Sequence, residues 1–292
     1  MTLPPERPDE PGRPSAETSP DRFVLPTDAA ADHAPAEDHL PSVDAAEVEE
    51  LIGELTAPIG PMLGVIGTLA LSNVMANRVL PDWSYVPWNC GVAAVVVAIA
   101  VKADGRTWEQ LGMSRGAVPS GLKLGLGFSA ALLGIYGIGL AIPATRDLFL
   151  DDRADVSGAQ LLAKVFITVP LGTVLLEEVA FRGVLPAMFR RRLGHRRRGG
   201  LRSDLAAAGL FGLWHILPSW NINDANPVFR DTLPDGFGQA AAVLGGVLST
   251  AVAGLFFSWM RNRSDSVVAP ATLHTTTNSV GYLLAWLSQR LT

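Results

Sequence analysis

Three short stretches of this 292-residue chain place ionisable or amide side chains one helical turn apart inside apolar sequence. In TVLLEEVAFRGVLP, residues 173–186, the charges are Glu177, Glu178 and Arg182. Glu178 and Arg182 are four residues apart with the acid N-terminal, so on a helix they share a face and can neutralise one another. Glu177 lies about 100° round the helix from Glu178. At three and four residues beyond it stand only Ala180 and Phe181, so it is the carboxylate left free for chemistry. FGLWH sets Phe211 and His215 on one face with Trp214 beside them, and HTTTN sets His274 and Asn278 one turn apart. A carboxylate with two histidines and an amide is a set for hydrolysis. Glu177 would take the proton from a water that His215 orients, or for which it shuttles the proton, and His274 with Asn278 would hold the oxyanion that forms.

The elements that must position these residues are membrane spans. The chain is 48% apolar with a mean hydropathy of +0.27, more than a soluble domain of this size usually needs. Stretches long enough for a hydrocarbon core of about 30 Å run over residues 59–77, 86–101, 121–142, 165–189, 239–260 and 267–287, with a shorter one at 205–217. The expected fold is all-α: a polytopic membrane protein of seven transmembrane helices, or eight if HTTTN breaks the last, around a polar site at the midplane. A stretch of 13 residues spans only about 20 Å. The fifth is therefore expected to line a water-filled cavity, where short or broken helices are tolerated.

Charge divides the chain. The first 50 residues hold 13 Asp or Glu against three Arg, and the remainder 15 against 20 Lys or Arg. Residues 1–43, with nine prolines, lack the apolar surface to offset the entropy of ordering and are expected to be a disordered acidic tail. Residues 44–56 could form an amphipathic helix, and 57–292 the transmembrane domain. No signal-peptide pattern opens the chain. Short loops rich in Lys and Arg stay in the cytoplasm. Lys102, Arg106, Arg115, Lys123, the seven arginines of 190–202, Arg261 and Arg263 fall on one side, giving a cell-membrane protein with its N-terminus inside. The arginine run is flanked by spans and has no aromatic interleaving, so it sets topology, and no nucleic-acid partner is expected. Cys90 is the only cysteine, which excludes an intrachain disulfide and a cysteine zinc site.

Depth ties the three stretches together. Glu177 lies 13 residues before Arg190, His215 lies 12 after Ser203, and His274 lies 11 after Arg263. At about 1.5 Å per residue, all three fall in one layer.

The pattern EExxxR at Glu177, Glu178 and Arg182, FxxxH at Phe211 and His215, and HxxxN at His274 and Asn278, in that order, resembles the CPBP family. These are the CAAX proteases and bacteriocin-processing enzymes, also called Abi intramembrane peptidases. TWEQLGMSR, Thr107–Arg115, is similar to a stretch upstream of the family's core, so the likeness covers about 107–291. It implies an intramembrane endopeptidase acting on a membrane-associated peptide or protein among membrane lipids. In that family the first Glu is the activating residue, and Glu178, Arg182 and Phe211 carry over as supporting residues. No cofactor is expected. Zinc held by Glu177, His215 and His274 is the alternative, disfavoured because the chain has no HExxH and no carboxylate in the histidine segments to orient the ligands. Two non-enzymatic readings stand beside these. One is a membrane immunity or partner-binding protein whose polar core is structural. The other is a transporter, against which no inverted repeat of the motif segments is found.

Overall fold

The computed structural model describes Val48 and residues 58–193, 197–220 and 238–291. The acidic tail and almost all of the 44–56 helix expected from sequence lie outside the described residues. Those that are described contain helices and turns and no strands. Seven long helices follow one another: α1 (Gly60–Val79), α2 (Asp82–Ala103), α3 (Arg115–Ala141), α4 (Gly158–Leu193), α5 (Arg197–Trp214), α6 (Gly238–Ser264) and α7 (Val268–Leu291). The first four and α6 are long and apolar enough to cross a membrane. With Leu71, Ile135, Phe166, Leu248 and Val252 exposed on their outer faces, they mark a multi-pass membrane protein, since such faces suit lipid rather than water.

HTTTN does not break α7, which runs without interruption through it. Thr272, Thr276 and Thr277 donate to the carbonyls of Val268, Thr272 and Leu273, each one turn back, and Thr276 also lies 3.0 Å from Ser129 Oγ on α3, so these three hydroxyls have partners within the protein. α5 differs from its apolar stretch at both ends. It begins at Arg197, on the arginine side, and stops at Trp214, where His215 N–H turns inward to Gly212 O at 3.0 Å.

α4 is the centre, packed against α1, α2, α5, α6 and α7. Pro170 removes a backbone donor inside it, and its ladder widens to five-residue spacing over Lys164–Val174 and again over Val179–Val184. Glu177 and Glu178 occupy the single α-helical turn between, Leu175–Glu178. Interruptions of this kind are frequent at functional sites. The main core lies on α4's arginine-side half, where Leu176, Ala180, Val184, Leu185 and Met188 meet Val65 and Val96. Close helix approach is set by small residues. A side chain at Gly212 would stand 2.6 Å from Val247 O on α6, and one at Gly125 on α3 would stand 2.8 Å from Ala269 O on α7.

The arginine-side ends are tied by ion pairs and capped by the α2–α3 loop. Arg190 reaches Asp204 at 3.0 Å and Asn262 at 2.7 Å, and Arg191 reaches Asp104 O at 2.7 Å. Gly112, at a φ of +71°, gives its carbonyl to Val267 N–H, while Arg261 donates to Gln110 O. A side chain at Gly112 would strike the Arg261 guanidinium at 2.9 Å, so both the left-handed backbone and the contact call for glycine there. This is the TWEQLGMSR stretch, whose Leu111 is fully buried.

Candidate active site

Two adjacent carboxylates on α4 face different surroundings. Glu178, 1% exposed, turns into the core. One of its oxygens, Oε1, lies 3.3 Å from Arg182 Nη1 and 2.7 Å from His274 Nδ1. The arginine pair survives the widened ladder because Arg182 is also cradled from the side. Its guanidinium carbon sits 3.9 Å from the Phe211 ring centre and 5.0 Å from that of Phe257. No nitrogen of that guanidinium makes an aligned hydrogen bond, so charge attraction and the two aromatic faces hold it. A desolvated cation–π contact contributes about 2 kcal/mol. This gives Phe211 a physical role: it supports the arginine that supports Glu178.

Glu177 lines a cavity of about 730 Å³. Its Oε1 accepts from Trp214 Nε1 at 3.0 Å, and its Oε2 lies 3.7 Å from His274 Nε2. That second oxygen has no hydrogen-bond partner among the described residues. His274 is therefore held at one nitrogen by Glu178 and presents the other toward Glu177. A carboxylate on one ring nitrogen fixes a histidine's tautomer and orientation. Such a carboxylate is missing from the histidine segments themselves and comes instead from α4.

His215 and Asn278 line the same cavity. His215 Nδ1 lies 2.8 Å from Phe211 O, and its ring meets Phe211 edge-on at 4.6 Å. A carbonyl can only accept, so Nδ1 carries the proton and Nε2 is free as a base or acceptor. Position in the fold follows from the end of α5. His215 is the first residue past the helix, and the Trp214 carbonyl left without a helical partner accepts from Asn73 Nδ2 at 2.9 Å. All seven residues singled out in the sequence thus gather around one cavity or its immediate wall. Trp214 and Asn73 were not among them. The one signal for Trp214 was an indole N–H beside a histidine within an apolar stretch, and Asn73, 141 residues away, left none.

The donor set was tested against zinc. Among the described residues no three His, Cys, Asp or Glu side chains are grouped to hold a metal ion. His274 Nδ1 is committed to Glu178 and His215 Nδ1 to Phe211 O, which leaves Nε2 of each ring free, but Glu177, His215 and His274 do not form such a group, and no step below is routed through a metal.

Comparison with known proteins agrees with the motif pattern. Residues 159–280 match the family described as Type II CAAX prenyl endopeptidase Rce1-like. The chain carries an endopeptidase domain of that family. No curated protein and no solved structure matches the chain. The Rce1-like domain takes in α4 to most of α7 and every motif residue, and it is a peptidase domain, so its substrate is a peptide or protein. α1, α2 and α3, with Asn73 and the Gly112 loop, lie outside the matched residues.

Proposed function

We propose that the chain is an intramembrane endopeptidase that hydrolyses a peptide bond of a membrane-associated peptide or protein through a water activated by Glu177. The observation that carries this reading is the divided pair of carboxylates. Glu178 is spent on Arg182 and His274, whereas Glu177 faces the cavity with one oxygen held by Trp214 and the other unpartnered among the described residues.

In the proposed reaction Glu177 Oε2 takes a proton from water, oriented by His215 Nε2, as the water oxygen attacks the peptide carbonyl carbon. The carbonyl π electrons pass to its oxygen. His274 Nε2–H and the Asn278 amide hold that oxyanion. Because Nδ1–H is donated to Glu178, His274 can donate from Nε2 only as the imidazolium. With Arg182 that gives two positive charges against two carboxylates, an even balance for a site removed from water. As the tetrahedral carbon collapses, the C–N bond breaks, and the proton on Glu177 passes to the departing amine directly or through His215. The products are a carboxylic acid and an amine, and the acid's proton passes to the amine or to solvent on release. Glu178 and Arg182 touch no reacting atom and act as positioning residues.

The test is cleavage of a reporter peptide in proteoliposomes by the full chain, with and without chelator. Glu177→Gln and Glu177→Ala should each lower the rate by about 10²–10⁴-fold, the range for loss of a general base, with protein abundance in the membrane unchanged for the Gln variant. Undiminished cleavage by Glu177→Gln overturns the assignment. Loss on chelation that zinc restores would favour the metal alternative.

A further inference from the structure

The catalytic cavity lies toward one end of the helical bundle, and that end can be assigned a side of the membrane. The residues leading away from Glu177 and His274 include Asn77 in the last turn of α1, Tyr85 in the first turn of α2 and Tyr136 near the end of α3. Arg153 in the α3–α4 connection and Ser219 beyond α5 continue the wall. In a chain whose helices alternate in direction, all of these belong to one face. A second cavity of about 700 Å³ shares Tyr85, Thr173 and Tyr282 with the first, and reaches the surface on that same face at Asp82, Trp83 and Lys164. Trp83 is 81% exposed there.

The opposite end is filled. Arg182, Leu185, Met188 and Met260 are fully buried beneath the α2–α3 loop, where Leu111 O would lie 3.1 Å from a side chain at Gly183. The described residues that line the two cavities include none from the connections at that end. It is also the arginine end. Among the described residues twelve Lys or Arg lie in or beside its connections, six of them within 190–202, against five at the cavity end. The bias of Lys and Arg toward cytoplasmic loops puts the filled end in the cytoplasm.

We infer that peptide reaches Glu177 from the non-cytoplasmic side, so the substrate class is a peptide or protein segment already exposed beyond the membrane, and a chain end lying on the cytoplasmic leaflet is not a substrate. The inference rests on the catalytic reading above and narrows it to one compartment. The wall suits such an occupant. Asn77, Asn89, Thr250 and Tyr282 give the route polar groups, and a peptide brings amides that must find partners once they leave bulk water.

Single cysteines in the full-length Cys90→Ala chain test this with a small membrane-impermeant methanethiosulfonate on right-side-out and inside-out vesicles. Leu148→Cys at the cavity mouth and Thr277→Cys deep in its wall should be modified in right-side-out vesicles and spared in inside-out ones. Leu201→Cys at the arginine end should show the reverse. Modification of Thr277→Cys from the Leu201 side overturns the inference, as does its protection from both sides when Leu148→Cys reacts. Reporters with the cleavable segment on either side of the membrane separate the two proposals. Cleavage of the cytoplasmic reporter alone removes the access route and leaves the peptidase reading. Modification from outside with neither reporter cut keeps the route and removes the catalytic assignment.

Discussion

α4 and α7 each carry a polar run through the apolar interior, and they satisfy it in opposite ways. On α7, Thr272 and Thr277 donate to carbonyls of their own helix. On α4, Glu177, Glu178 and Arg182 draw partners from α5, α6 and α7: Trp214, Phe211, Phe257 and His274. A polar group content with its own helix can be deleted without disturbing its neighbours. One satisfied from other helices ties their positions together, and its loss leaves a buried group without a partner. His274 is the exception on α7, and it is the residue that joins the two patterns.

The contrast orders the expected effects of substitution. Arg182→Ala should be the most damaging, because it leaves Glu178 as a buried charge with one partner fewer. Breaking a buried pair from one side destabilises by about 3–5 kcal/mol, read as reduced membrane abundance and a lowered Tm in detergent. If Arg182→Ala is as stable as the parent, neither its pairing with Glu178 nor its seat between Phe211 and Phe257 is what orders α4. Glu178→Gln should leave abundance closer to normal but reduce kcat by about 10²–10³-fold, the scale for losing one donor to an oxyanion, since His274 loses the group that holds it charged and oriented. KM should change little, and a larger effect on KM than on kcat would contradict a positioning role. Trp214→Phe removes a single hydrogen bond to a charged group, about 1.5–3 kcal/mol, and should lower kcat by roughly 10- to 100-fold, a conversion at 1.36 kcal/mol per tenfold. At the far end stands Thr272→Val, which keeps the shape of the side chain and should shift stability by no more than about 0.5 kcal/mol. A large loss there would mean that self-satisfied hydroxyls carry more than their local bond.

Much of the arrangement on α4 was legible in the sequence, and the reason is local. The separation of Glu177 from the Glu178 and Arg182 pair needed only helical spacing, and the common depth of Glu177, His215 and His274 needed only counting from the arginines. What spacing could not supply was the partner of each group. The contact of His274 with Glu178 spans 96 residues and that of Trp214 with Glu177 spans 37. Both depend on how α5 and α7 dock on α4, which spacing along the chain does not encode. The possible break at HTTTN was resolved by hydroxyl geometry that no hydropathy pattern contains. The widened turns on either side of Leu175–Glu178 likewise have only Pro170 as a cue, and that marks the first stretch alone.

Asn73 carries one more consequence. Its side chain closes the carbonyl at which α5 ends, one residue before His215 and on the same residue whose indole holds Glu177. It belongs to α1, well upstream of residues 159–280. A fragment trimmed to those residues would own every motif and still lack the clasp that tells α5 where to stop. A neutral amide outside the signature thus joins the first helix to the end of α5 that carries His215, and activity assays on the proposed site call for α1 as well as the matched residues.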